Sequence, residues 1–253
     1  DPIEALGEVA EDNEVLFHVD SCIGGFMLPF LRELGYDIPS FDFSVPGVTS
    51  ISADPHKYGY TAKGVSTILH RNEELRRHQC FAYNVRPGGV YGSPTLAGTR
   101  PAGPIAAAWA VLQYLGVEGY FDLAETVMDT TTKLIEGIDS IDGLSVISDP
   151  DMSIFAFGTE GGELHIDPVY DGLTERGWFV GRQQEPPNIH LSVTPPHAEV
   201  VDEFLNDLQE VTNSARGVGS EEGISMYGGG AEKRGDETPD EIALNTLSRQ
   251  YRL

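Results

Sequence analysis

The chain has 253 residues, enough to bury a substantial core, with 40% hydrophobic and 9% aromatic residues, as in ordinary globular proteins. Its charge is unusual: 40 acidic residues against 16 basic ones give a formal net charge of −24, and arginine outnumbers lysine twelve to four. Such a surface repels nucleic acid and anionic membrane, which argues against both as partners, and dispersed acid with little lysine reads as the solvated surface of a halophilic protein.

The opening 1–14 is acidic and lacks the basic-then-apolar order of a signal peptide. Two cysteines, Cys22 and Cys80, make no disulfide framework, so a reducing cytoplasm is expected. No apolar run has the length of a membrane span. Val15–Asp20 reads as a buried strand that ends in an acid, and its position suggests a chain that starts within a fold. Phe26–Leu34 reads as a helix stopped by Gly35. Val48–Ser52 and Val65–Leu69 are further strands, and strands separated by helices suggest a parallel sheet covered on both faces. The Gly/Pro/Ser/Thr-rich stretch 88–103 reads as a long functional loop.

Helical spacing dominates 104–116 and 120–138. Beyond Gly143 the texture changes, with strands expected at Leu144–Ile147, Ser153–Phe157 and Ile189–Val193 and helices at Pro168–Arg176 and Ala198–Ala215. The expected division is therefore 1–139 as a large α/β domain with its linking helices, 140–217 as a small α+β domain, and 218–253 as an acidic Gly-rich tail.

Two of the four lysines, Lys57 and Lys63, lie close together in or just after Ser52-Ala53-Asp54-Pro55-His56-Lys57-Tyr58-Gly59. Chemistry that needs an amine, and not merely a positive charge, is Schiff-base formation, most often with pyridoxal 5′-phosphate (PLP). His56 and Ser52 could each donate to a phosphate oxygen. The alternative is an exposed lysine in a surface turn, since Asp-Pro-His is good turn chemistry. Asp20 closes its strand where open α/β sheets bind ligands, and a carboxylate there suits a pyridine nitrogen. It could equally cap a helix.

Phe17-His18-Val19-Asp20-Ser21-Cys22-Ile23-Gly24-Gly25-Phe26 and Ser52–Tyr60 together resemble the group II PLP-dependent decarboxylases. Within that group, Gly59-Tyr60, Lys63 and the segment Gly88–Pro101 resemble the sphingosine-1-phosphate lyases. The resemblance implies an aspartate-aminotransferase-like α/β fold (fold type I), represented by part of a mainly parallel large domain plus the small α+β domain. It implies that Lys57 holds PLP as a Schiff base, Asp20 faces the pyridine nitrogen, Cys22 lies under the ring and His56 meets the cofactor phosphate. Lys63 would bind a substrate phosphate, and Thr99 would reach the partner's site in a homodimer with shared active sites. Tyr91, Ser93, Thr95 and Arg100 are further loop candidates for substrate contact. Ser21 departs from the alanine more common in the family, and the family's N-terminal half has no counterpart. The implied activity is carbon–carbon cleavage of a phosphorylated amino alcohol. The alternatives are amino-acid decarboxylation (of tyrosine, aspartate or glutamate) and a non-catalytic fragment or subunit.

Overall fold

A computed structural model describes residues 1–219 and the backbone of two short paired strands, Ile224–Met226 and Gly229–Ala231. The expected tail, 218–253, otherwise lies outside the described residues. The chain divides into two compact units, Asp1–Glu125 and Thr126–Leu253. That division falls inside a helix, whereas the change of texture placed it at 139/140. Among the described residues no helix is long and apolar enough to cross a membrane.

The first unit opens with helix α1 (Ile3–Asp12), strand β1 (Phe17–Asp20), a short 3-10 turn (Gly24–Phe26) and helix α2 (Leu28–Glu33). Gly35, at φ +94, ends that helical stretch in the left-handed region that glycine enters without steric cost. Strand β2 (Val48–Ala53) then runs parallel to β1, so Asp20 is paired with Ser52 and both strands end at the same edge. Parallel neighbours need a crossover, which α2 supplies. Val19, Val45, Val48 and Ile51 form the buried core here, with Ile3, Phe17 and Phe43 packed against it.

Strand β3 (Thr67–His70) pairs antiparallel with β2, making the three-stranded sheet β1-β2-β3 mixed, with one parallel and one antiparallel pair. The segment carrying Lys57 is thus the connection between two antiparallel neighbours. Arg71 donates to the carbonyls of Val48 (2.6 Å) and Val45 (2.5 Å) and ties the sheet to the preceding loop. Helix α3 (Glu73–Arg77) is capped by Asn72, whose side chain accepts from the Leu75 N–H.

The stretch 88–103 is only partly a loop. Tyr91–Ser93 forms strand β5, antiparallel to β4 (Phe81–Tyr83). The pairing of Ala82 with Gly92 leaves one face almost bare, while Phe81, Tyr83 and Tyr91 gather their rings on the other. Glycine masks the strand alternation that would have marked this hairpin. Helix α4 (Gly103–Asp139) spans both predicted helical stretches and breaks at Gly116, where φ is 59° and ψ −174°.

In the second unit the four strands β6 (Leu144–Val146), β7 (Ile154–Thr159), β8 (Gly181–Gln184) and β9 (Pro187–Ser192) form an antiparallel sheet in the order β6-β7-β9-β8. Helices α5 (Ile166–Glu175) and α6 (Val201–Ala215) pack beside each other, and Gly172 permits the approach: a Cβ there would stand 2.6 Å from Val211. The C-terminal part of α4 belongs to this unit for the same kind of reason, since Gly137 lies directly against Leu205. Phe157, Leu173, Ile189 and Leu208 are fully buried. Strand β8 has no apolar alternation to announce it; its Arg182 is buried and paired with Asp167 at 2.6 Å.

Candidate active site

The site is built where β1 and β2 end. Beyond Ala53 the Asp54 N–H donates to the Cys22 carbonyl (3.1 Å), fastening the following turn to the residue two places after Asp20. The turn winds through Lys57 N–H to Asp54 carbonyl (3.0 Å), Tyr60 N–H to Lys57 carbonyl (3.0 Å) and Thr61 N–H to Pro55 carbonyl (3.1 Å). Gly59 is required for this closure, because a Cβ there would lie 2.5 Å from the Pro55 carbonyl oxygen.

That turn delivers Lys57 to a defined place. Its Nζ donates to Cys22 Sγ at 2.7 Å and lies 3.2 Å from Asp54 Oδ2, with about a third of the side chain exposed. The hydrogen bond to Cys22 chiefly, with Asp54 adding, raises the amine above its ordinary value despite partial burial. Asp54 is buried and also accepts from the Ser66 hydroxyl, and His56 Nε2 lies 3.8 Å from Asp54 Oδ2. The resting amine is therefore an ammonium held by sulfur and carboxylate.

Asp20 Oδ1 accepts from the Ser52 hydroxyl (2.7 Å) and the Cys22 N–H (3.1 Å). These bonds, Ser52 first, hold the carboxyl below its ordinary value, and the Lys57 charge adds to the effect. The hydroxyl of Ser52, which the sequence allowed as a phosphate donor, is instead directed at Asp20. His56 Nδ1 lies 2.6 Å from the Val65 carbonyl, an acceptor only, so Nδ1 carries the proton. His56 can then donate to a phosphate through Nε2 only as an imidazolium.

The structure thus brings Asp20, Cys22, His56 and Lys57 into one group. Asp54 completes it; in the sequence its place in an Asp-Pro turn masks this role, although its spacing from Lys57 suits one helical turn. The other candidates lie apart. Lys63 is exposed on the connection to β3. Ser93 is buried, with its hydroxyl donating to the Thr95 carbonyl (2.5 Å) and accepting from the Thr95 N–H (3.3 Å), so it closes its own loop. Tyr91 lies under the Arg86 guanidinium, 5.9 Å from the ring centre. Thr99 and Arg100 are exposed, and neither they, Ser93 nor Tyr91 shares a hydrogen bond or ion pair with the Lys57 group.

An aromatic stack supports the turn from behind. The Tyr120 hydroxyl donates to the Gly59 carbonyl (2.8 Å), and the Tyr120 ring stacks on Phe30 at 5.2 Å and on Tyr60 at 6.3 Å. Burial pushes both the Tyr60 and Tyr120 phenols up, so each stays a neutral donor. Replacing Tyr120 by phenylalanine leaves a buried carbonyl without its donor. The expected cost is about 1–3 kcal/mol in unfolding free energy, read by denaturant titration.

The model of the pyridoxal-dependent decarboxylase conserved domain matches residues 1–160, which include this whole group. A sphingosine-1-phosphate lyase of Arabidopsis thaliana is 49% identical over 216 residues, covering 85% of this chain and 39% of that protein. An L-aspartate/L-glutamate decarboxylase of Pyrococcus horikoshii is 35% identical over 213 residues, covering 83% of this chain and 54% of that protein. A solved sphingosine-1-phosphate lyase of Burkholderia pseudomallei superposes with a TM-score of 0.81 at 44% identity, covering 85% of this chain and 49% of that one. The chain spans about two fifths of the plant lyase and about half of the archaeal decarboxylase. With a matched domain that runs over more than half its length and a fold shared at high identity, the chain belongs to the pyridoxal-dependent decarboxylase family, PLP-dependent lyases of fold type I.

Proposed function

We propose that this chain carries the cofactor side of a carbon–carbon lyase site that acts on a phosphorylated amino alcohol of the sphingoid-base phosphate type. The observation that carries the reading is the Lys57 amine held by Cys22 and Asp54 beside the ionised Asp20. The donor set fits PLP: a reachable amine for its aldehyde, a carboxylate kept anionic for its ring nitrogen, and a histidine that as an imidazolium would donate its Nε2–H to the phosphate. When bound, PLP supplies an aldehyde that captures amines and an electron-withdrawing ring that eases bond breaking at the carbon beside nitrogen.

The chain's own groups divide the remaining work. Lys57 would anchor the cofactor, and its amine, held beside Cys22 and Asp54, is placed to hold or release a proton. Asp54 receives the ammonium proton across 3.2 Å and returns it. Asp20 stays charged because Ser52 and Cys22 solvate it with fixed dipoles. Cys22 would form part of the surface that holds the cofactor. Lys63, exposed in a chain with few lysines, is free to meet the phosphate end of the substrate. The identity to lyases, higher than to the decarboxylase, supports this substrate class.

The hairpin and the loop after it support a homodimer with shared sites. Val85, Val90 and Leu96 are 76%, 79% and 105% exposed, an apolar surface suited to a second copy that would bring Thr99 and Arg100 to the partner's site. The acid-rich, lysine-poor composition supports a salt-rich cytoplasm as the setting.

The test is product analysis with the whole protein and PLP. A sphingoid-base phosphate should yield a long-chain aldehyde and phosphoethanolamine, whereas CO2 released from aspartate, glutamate or tyrosine would assign the decarboxylase reading instead. Lys63→Ala should lower kcat/KM for the phosphorylated substrate by about 10–100-fold, the worth of one charge-assisted hydrogen bond. A decarboxylase would lose little from the same change.

A further inference from the structure

We infer that Cys22 and Lys57 form a reversible sulfur–nitrogen crosslink under peroxide, which disables the cofactor lysine while PLP is absent. The crosslink itself stands on the contact between the two side chains; its consequence for PLP rests on the proposed role of Lys57.

Three observations carry it. Lys57 Nζ and Cys22 Sγ touch at 2.7 Å, so no rearrangement of the turn is needed to bring the reacting atoms together. The pair is reachable: Cys22 is only partly buried and about a third of the Lys57 side chain is exposed. A proton acceptor is in place, with Asp54 Oδ2 3.2 Å from the amine and the Asp54 side chain shielded from water. The cysteine is therefore one member of a nucleophile–amine–carboxylate group, unlike Cys80, which is exposed elsewhere in the same unit.

The chemistry balances with a hydroperoxide as oxidant. The Cys22 sulfur attacks the peroxide, the O–O bond breaks, one oxygen stays on sulfur as a sulfenic acid, and the other leaves as water or alcohol. Sulfur has then lost two electrons and the peroxide has gained them. The Lys57 ammonium passes one proton to Asp54, and its nitrogen attacks sulfur. The S–O bond breaks, and hydroxide departs as water with a second amine proton, leaving an Sγ–Nζ sulfenamide. Intramolecular capture at contact distance outruns a second oxidation, because such reactions reach effective concentrations of about 10⁵ M or more. Two thiols reverse the step by returning two electrons, restoring the thiol and amine and leaving as a disulfide.

PLP would protect against this outcome, since a lysine nitrogen joined to the cofactor no longer carries the two protons that must leave for the S–N bond to form. An oxidised, cofactor-free chain would thus be held in a form that cannot load until reducing conditions return.

The experiment treats the PLP-free whole protein, in a Cys80→Ser background, with hydrogen peroxide. Peptide mass mapping follows, alongside PLP capture fixed by borohydride. The expected result is a joined Cys22–Lys57 peptide pair lighter by two hydrogens. It should be absent in Cys22→Ala and Lys57→Arg, suppressed by prior PLP loading and reversed by dithiothreitol. Capture of PLP at Lys57 should fall in proportion to the joined fraction, while in Cys22→Ala its level is unchanged by peroxide. Recovery of Cys22 only as sulfinic or sulfonic acid, or as a dimedone-trapped sulfenic acid with Lys57 unjoined, overturns the inference. Equal loss of capture in Cys22→Ala overturns it too. If the unoxidised chain never takes PLP at Lys57, the proposed function falls, and the mass of the peptide pair still decides the crosslink.

Discussion

Lys57→Ala abolishes capture of PLP and lowers lyase activity by at least ~10³-fold, on the scale seen when a covalent catalytic group is removed. The readout is the near-visible absorbance band that forms on adding PLP, together with turnover of the phosphorylated substrate. Among the described residues no other lysine shares a hydrogen bond or ion pair with Cys22 or Asp54. Lys63 is exposed on the connection to β3, and Lys133 is engaged with Asp202 at 2.7 Å in the second unit. Asp54→Asn tests the same amine from the other side. Asp54 helps to hold the Lys57 ammonium, so its loss lets the amine titrate at lower pH. The rate of PLP capture should then reach its plateau at lower pH than in the unaltered protein. A purely structural Asp54 would leave that profile in place.

The second large effect is expected at Asp20. Asp20→Asn keeps the shape and removes the charge that would face the ring nitrogen, which should cost about 10²–10³ in kcat, as for loss of a preorganised electrostatic partner. Binding of PLP should change far less, and that split separates an electronic role from an anchoring one. The charge depends on Ser52, whose hydroxyl is the largest of the influences that lower the Asp20 carboxyl. Ser52→Ala should therefore move the carboxyl midpoint up towards its ordinary value, read by NMR titration of the PLP-free chain. The linkage to stability has a definite sign. A carboxyl lowered in the folded state contributes stability that is present above its unfolded value, and that contribution is lost as pH falls through the folded one. Ser52→Ala should therefore flatten the part of the acid-unfolding curve below the ordinary carboxylate range.

Much of the first unit could be read from residue patterns because its signals are local. A strand β1 ending in an acid, a helix stopped at Gly35 and an amine in a lysine-poor chain all show within a few residues, although only Val19 of β1 is buried and Val15 and Leu16 before it are exposed. Asp20, His56 and Lys57 stood out for that reason. The turn-forming role of Asp-Pro hides Asp54, and Ser52 is open to a phosphate or a carboxylate because nothing local shows which acceptor its hydroxyl reaches. Ser93 looked like a loop hydroxyl available to a ligand, yet its bonds to Thr95 close the loop on itself. Strand β8 and the β4–β5 hairpin escaped because Arg182 is buried by pairing with Asp167, and because Ala82 and Gly92 give no alternation.

Amino-acid order alone determines which groups this chain owns: one amine in a turn, one strand-end carboxylate, one thiol two residues beyond it, and helices broken where Gly116 sits. Which of them meet depends on contacts that periodicity does not encode. The parallel register of β1 and β2 sets Asp20 beside Ser52 across 32 residues, and the turn closed by Gly59 sets Lys57 against Cys22 across 35. A one-residue slip in that register would turn every side chain of β1 to the opposite face. The sheet's pairing and the turn's closure, far more than the presence of the residues, make these groups one site.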